Sequence, residues 1–170
     1  MNSNKIKYGE YYASADIDKI DLKDIDEIEE SAFASSSIKR INGIARNVGN
    51  FGFSVCESLE GRIKVGGEKV GRAAFERCPL IEEVVLMDDV EQIDGWAFDE
   101  CKNLSQLTLP QRLKTIGTEA FHKTGIRTLN IGEVERIEDN AFSECSELET
   151  INIQRIGQAI KSNAFSKCSN

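Results

Sequence analysis

The 170-residue chain has little of several residue types, with one His, one Trp and two Pro, and fewer Lys and Arg (21) than Asp and Glu (29). A single His leaves little material for acid–base catalysis or metal binding. The net charge of −8 disfavours nucleic acid as the main partner, because phosphate backbones select for surplus positive charge. The longest apolar runs, such as residues 84–87, are far shorter than the roughly 20 residues of a membrane-spanning helix. We therefore expect neither a nucleic-acid partner nor a membrane span.

The N-terminal residues 1–10, MNSNKIKYGE, lack the apolar run and cleavage site of a secretory signal. The compartment therefore stays open. A cytoplasmic location is expected if this chain is the whole protein, and a surface or secreted one if it is a piece of a longer exported protein.

With 40% hydrophobic and 29% charged residues, the chain has the composition of a globular protein with a substantial core.

One phrase, a small residue followed by Phe and three residues later by Cys, Ser or Thr, recurs along the chain. Successive copies of its Phe lie 20 to 23 residues apart, and all five Cys occupy the same slot. An aliphatic residue precedes each ring by five positions, and an apolar-x-x-apolar-x-apolar run follows the Cys slot. Tyr11 replaces Phe in a degenerate N-terminal copy at 6–17. The repeated Phe residues are Phe33, Phe53, Phe75, Phe98, Phe121, Phe142 and Phe165.

Two periodicities inside one copy predict its local structure. Leu107 and Leu109 are two residues apart, so they point to the same side of a short strand. One strand per copy would stack into a parallel sheet, and the Phe segment would form a short helical or 3₁₀ turn. No copy can bury its apolar face alone, so the stack is the folding unit. We predict a single domain over 1–170, with about seven to eight repeats and a last copy that is truncated after Cys168.

The phrase at residues 93–110, IDGWAFDECKNLSQLTLP, resembles a unit of the BspA-like, Treponema-type leucine-rich repeats. The likeness extends over residues 6 to 170. It implies an α/β solenoid, a right-handed superhelix with a concave parallel β-sheet and short helical or 3₁₀ turns on its convex side. It also implies a non-enzymatic protein-binding module, which in the best-known members serves adhesion or recognition at the surface of bacterial or protozoan cells.

The five Cys lie a repeat length apart, whereas zinc and redox sites use close pairs such as Cys-x-x-Cys. We interpret them as reduced, buried thiols. Adjacent thiols would lie about 4.8 Å apart, so distance alone permits disulfides, but side-chain orientation disfavours them. The acidic run at 16–28 lacks the Gly of an EF-hand loop and is interpreted as a solvated face. We expect no metal or other cofactor.

His122 follows a Phe in a slot that other copies fill with Ala, Ser, Glu or Asp, so we expect it to point outward. No nucleophile and base can be assembled around it, which argues against an enzyme. Trp96 and Phe51 share the slot two residues before Phe. We expect them to pack onto a neighbouring coil, and an exposed lateral contact is the alternative.

The residues between the inward strand positions would project from the concave face and form the candidate binding surface. The N-terminal copies present basic residues, and segment 39–77 has eight Lys and Arg against four Glu. We therefore expect an acidic protein partner there, the alternative being a solvated face without a ligand. The first column is Lys19, Arg40, Arg62, Glu83, Gln106, Thr128 and Thr150, and the second is Asp21, Asn42, Lys64, Val85, Thr108, Asn130 and Asn152.

The last copy has no polar cap, because the sequence ends just after Cys168. Solenoids normally shield their terminal coil, so Ile151, Ile153, Ile160 and Phe165 are expected to form an apolar end. This pattern supports an alternative function as a structural or self-associating spacer, with homo-association through the C-terminal end. It is equally compatible with a fragment of a larger repeat array.

Overall fold

A computed structural model describes residues 4–168 as a parallel β-solenoid of about seven turns. All of its strand pairs are parallel, and the two partners are about one repeat apart, as for Lys19 opposite Arg40. The strands are β1 (Lys5–Ile6), β2 (Lys19–Asp21), β3 (Glu27–Ile28), β4 (Arg40–Asn42), β5 (Ala45–Arg46), β6 (Gly61–Gly66), β7 (Lys69–Val70), β8 (Ile81–Leu86), β9 (Gln92–Ile93), β10 (Gln106–Thr108), β11 (Arg112–Ile116), β12 (Thr128–Ile137) and β13 (Thr150–Ile160).

Each complete coil contributes two strand segments, so the prediction of one strand per copy is wrong. The first segments follow the Cys slot and form the first strand face, made of β2, β4, β6, β8, β10 and the beginnings of β12 and β13. The second segments precede each Phe and form the second strand face, which includes β7, β9, β11 and the ends of β12 and β13. In each of the last two coils a single long strand, β12 or β13, bends across both faces.

The segment around each Phe is a pair of linked turns, and the predicted helical or 3₁₀ turns are wrong, since residues 4–168 contain no helix. The N–H groups of Asp99 and Cys101 donate to carbonyls three residues back, at 3.1 and 3.3 Å. The N–H of Glu100 between them donates instead to the carbonyl of His122 in the next coil, at 3.0 Å. A helix would direct all of these groups along its own axis. Hydrogen bonds between coils therefore take the place of a helical turn.

Left-handed backbone conformations make these turns possible. The second residue before and the second after each ring have φ between 50° and 60°, as at Trp96 (60°) and Glu100 (55°). Such values cost roughly 1–2 kcal/mol per residue for L-amino acids other than Gly, and Asn and Asp tolerate them best. Val55, at φ 59°, is β-branched and therefore the least suited of them.

Replacing Val55 with Asn should raise the free energy of unfolding by about 0.5–1 kcal/mol, because Asn accepts the left-handed conformation with less strain. Urea unfolding followed by circular dichroism measures the change. Val85→Asn is the matched control, since Val85 is also half-buried but lies within β8 and has no positive φ. This control should lose stability. Equal losses in the two variants would contradict the assignment of strain to Val55.

The core is a ladder of aromatic rings running along the solenoid axis. Tyr11 and the seven repeated Phe stack in sequence, with centroids 4.7–5.3 Å apart and ring planes within 9° of parallel. This spacing matches the distance between paired strands, about 4.8 Å. The aliphatic residues five positions before the rings, such as Ile93 and Ile116, are fully buried beside the ladder. The predicted repeat core is thus confirmed.

Candidate functional site

The first strand face carries the two predicted columns of residues. Strand pairing sets them in register, with Arg62 opposite Glu83 and Glu83 opposite Gln106 in the first column. Most of these side chains are exposed, while Glu83 and Val85 are half-buried. The face therefore presents an ordered array of polar groups about 4.8 Å apart along the axis.

The array is divided into three blocks because strand pairing on this face is interrupted twice. β4 pairs with β2 but not with β6, and β10 pairs with β8 but not with β12. The first break coincides with a register shift between Gly61 and Arg62, at the extra residue in this copy. There the strands part around a groove of about 400 Å³, whose lining includes Lys19, Arg40 and Arg62.

Ion pairs between coils neutralise most of the positive charge expected in segment 39–77. On the first strand face, Arg62 Nε lies 3.3 Å from a Glu83 oxygen, and Arg40 Nε lies 4.0 Å from a Glu60 oxygen. Four other basic residues of the segment pair with acids: Lys39, Arg46, Lys69 and Arg77. Within residues 4–168, Lys19 and Lys64 are the cations of the two columns that have no ion pair.

Amide side chains link neighbouring strands at both ends of the face. Asn42 donates from Nδ2 to Asp21 at 2.9 Å, and this hydrogen bond lowers the pKa of the Asp21 carboxyl. Asn152 donates from Nδ2 to Asn130 Oδ1, also at 2.9 Å. Each bond fixes the orientation of two exposed polar groups. The ends of the array are thus ordered before any partner binds.

Two aromatic residues lie on the turn side of the solenoid. Trp96 is half-buried and packs against Arg72 of the preceding coil, whose Cζ lies 4.4 Å from the ring centroid. A guanidinium over an indole face is a cation–π contact. Phe51 leaves 37% of its surface exposed. Of these two residues, Phe51 therefore offers the more open apolar contact.

His122 is half-buried, and the expectation that its slot points outward is wrong. Its Nδ1 lies 2.7 Å from Asp99 Oδ1, and Ser54, Asp99 and Ser143 in the same slot of other coils are buried. Burial raises the pKa of the Asp99 carboxyl, an effect that the nearby His122 opposes. The two residues are 23 positions apart, which is one repeat length, and their contact could have been predicted from this spacing.

The thiols form a second ladder beside the rings. Each Cys donates from Sγ to the carbonyl of a Phe in the preceding coil at 3.1 Å, as Cys101 does to Phe75. All five are free thiols, and four are buried. Burial raises the pKa of Cys101 to about 12 and that of Cys145 to about 11, so these thiols stay protonated at neutral pH. Cys suits the slot because it is small, apolar and a weak donor.

The acidic run at 16–28 is dispersed over β2, β3 and the turn between these two strands. Asp18 forms an ion pair with Lys39 at 2.9 Å, and Asp21 receives the hydrogen bond from Asn42. In the described part of the chain, no three His, Cys, Asp or Glu side chains come together as metal ligands. Nor does any helix there have the length and apolar character needed to cross a membrane.

Comparison with known families identifies the repeat. The model of the BspA-type leucine-rich-repeat region matches residues 2–64 and 68–170, with six copies. The chain belongs to the BspA-type leucine-rich-repeat family. One solved structure similar to this BspA-type chain is a leucine-rich-repeat protein from Bacteroides ovatus, with 16% identity and a TM-score of 0.44. The match covers 97% of this chain and 68% of that one. No curated protein matches the sequence.

Proposed function

We propose that this BspA-type chain is a non-enzymatic protein-binding module that uses its first strand face, which we take to be the concave side of a right-handed superhelix. The observation that carries the proposal is the in-register array of exposed polar side chains on paired strands. Side chains that are already ordered lose little conformational entropy on binding. A role in adhesion or recognition at a cell surface is part of the proposal and rests on the family alone.

The N-terminal half of the face is proposed to contact acidic groups of the partner protein. Among residues 4–168, Lys19 and Lys64 have no ion-pair partner, and Arg40 and Arg62 flank the groove where the sheet is interrupted. Glu60 and Glu83 already contact the two Arg, so the partner's carboxylates would join existing ion pairs. The C-terminal half, with Thr128, Asn130, Thr150 and Asn152, is proposed to contribute neutral hydrogen bonds.

Charge reversal tests the role of this face. The triple variant Arg40→Glu, Arg62→Glu, Lys64→Glu should bind a partner captured from cells of the source organism at least about tenfold more weakly, a loss of about 1.4 kcal/mol. Surface plasmon resonance measures the affinity, and thermal unfolding checks the fold. Lys7→Glu, Lys102→Glu, Lys161→Glu is a control with the same change in charge on residues outside the two columns. Equal affinity of the two triple variants would refute the proposal.

A structural, self-associating role is the second candidate function, and the edge strand β13 favours it. β13 pairs with β12 along one side, and Ile151, Ile156 and Ile160 are each about two-fifths exposed. A long, apolar edge strand is a template for adding another strand. If this function holds, the weight-average mass should rise with protein concentration, and Ile156→Lys should abolish the rise in sedimentation experiments.

A further inference from the structure

A second polar surface lies on the second strand face, over the C-terminal coils. Here the strands enclose a groove of about 510 Å³. Leu113 and Val134 are buried beneath it, and Gly157 in its lining has no side chain to fill it. The first strand face, on which the proposed function rests, is a different part of the coil. Its lining includes the charged residues Glu91, Arg112, Lys114, Glu133, Glu135 and Arg155.

The charges around this groove alternate from coil to coil. Register places Arg112 opposite Glu133 and Glu133 opposite Arg155. We call the four successive levels rungs A to D and the surface that they form the banded face. Rung A is Asp89 and Glu91, rung B is Arg112 and Lys114, rung C is Glu133 and Glu135, and rung D is Arg155. Their charges are negative, positive, negative and positive.

These groups keep much of their surface available although they form ion pairs within the chain. Arg112 Nε lies 3.8 Å from a Glu133 oxygen, yet the Arg112 side chain is 86% exposed. Lys114 pairs with Glu91, and their side chains are 58% and 45% exposed. Exposed pairs of this kind contribute little to stability. Their carboxylates and cations can therefore take part in a larger charge network at low cost.

We propose that the banded face is an isologous docking surface for a second copy of this chain. A two-fold axis in the interface, parallel to the strands and between rungs B and C, reverses the order of the rungs in the second copy. Rung B then faces rung C, and rung A faces rung D. Arg112 meets Glu133 of the second copy, and Lys114 meets Glu135. Every rung is thereby placed against the opposite charge.

Two other kinds of placement of the banded faces bring like charges together. An axis through rung B or rung C sets that rung against itself, and a parallel arrangement sets every rung against its own kind. Like charges across an interface cost free energy and exclude such pairings. An axis between rungs A and B, or between rungs C and D, opposes unlike charges at only two rungs, so the axis between rungs B and C gives the most favourable pairing. The resulting dimer is closed, because an isologous interface uses the same surface on both copies.

The experiment is sedimentation velocity on the full chain and two double variants, at about 0.05 M and about 0.5 M NaCl, because salt screens exposed charges. The natural chain should be a dimer at low salt and dissociate at high salt. Arg112→Glu, Lys114→Glu should be monomeric, as should Glu133→Lys, Glu135→Arg. An equimolar mixture of the two variants should form a dimer at low salt, because the antiparallel arrangement then opposes unlike charges at all four rungs.

Controls separate this dimer from other associations. Lys19→Glu, Lys64→Glu on the first strand face should dimerise as the natural chain does, and thermal unfolding verifies that each variant is folded. A natural chain that stays monomeric at low salt would overturn the proposal. So would dimers that persist in both double variants, or a mixture that stays monomeric. Growth beyond a dimer that Ile156→Lys abolishes would assign association to the β13 edge instead.

Discussion

Phe98→Ala should lower the free energy of unfolding by about 3–5 kcal/mol, a large fraction of the 5–15 kcal/mol typical of a folded domain. Phe98 is fully buried, and its ring stacks between Phe75 and Phe121 at 5.3 and 5.2 Å. Truncation leaves a cavity in the middle of the ladder, and the hydrogen-bonded coils on both sides cannot collapse into it. Urea unfolding followed by circular dichroism gives the loss.

Two further variants make this result specific to the ladder. Phe98→Leu keeps most of the apolar volume, so its loss should be smaller than that of Phe98→Ala. Phe165→Ala removes the last ring, which is half-buried and stacks on Phe142 alone within residues 4–168, so it should cost less as well. A loss from Phe98→Ala no greater than that from Phe165→Ala would show that the rings do not form a continuous core.

Gly117→Ala should destabilise the protein by about 1–3 kcal/mol, because the coils approach too closely there for a methyl group. A Cβ at Gly117 would lie 2.5 Å from the backbone nitrogen of Gly95 and 2.6 Å from the carbonyl carbon of Asp94. Both are backbone atoms of the preceding coil, so they cannot rotate away as a side chain can. The variant must therefore push two coils apart. Thermal unfolding measures the effect.

Gly95→Ala is the matched control one repeat earlier. Its Cβ would come no closer than 3.1 Å, to the carbonyl oxygen of Thr118. Small adjustments can absorb that contact, and Ala also reduces the entropy of the unfolded chain by about 0.4–1 kcal/mol. We expect a change within about 1 kcal/mol of zero. A Gly117→Ala variant as stable as Gly95→Ala would contradict the observed spacing of these coils.

The repeat phrase was sufficient to predict the core. Phe and Cys recur at fixed positions, and residues at equivalent positions of stacked coils must lie above one another. The turns could not be predicted in the same way. Their left-handed positions are filled by residues such as Trp96, Glu100 and Val55, none of which signals a positive φ in the sequence. The hydrogen bonds between coils select that conformation, and they exist only in the stack.

The sequence was sufficient to predict which residues form the two columns of the candidate site, but not which of the nearby charges are neutralised by ion pairs. Alternation along a strand is enough to expose Lys19 and Asp21 on one face. The acids that neutralise segment 39–77 belong to other coils, as Asp18 does to Lys39 and Glu83 to Arg62. Their separation of 21 residues in both cases is a repeat length, so the register of the repeat contains this information. A count of charge along a continuous segment misses it.

The most direct test of the stacked-coil account is the reactivity of the five thiols, since each reports on one coil. A chromogenic thiol reagent, applied to the native protein and followed by mass spectrometry of peptides, measures each site separately. We predict that Cys56, Cys78, Cys101 and Cys145 stay unmodified in the native state, that Cys168 reacts slowly, and that all five react after denaturation. Rapid native-state modification of any of the four buried thiols, or a disulfide between two of the five, would contradict the account.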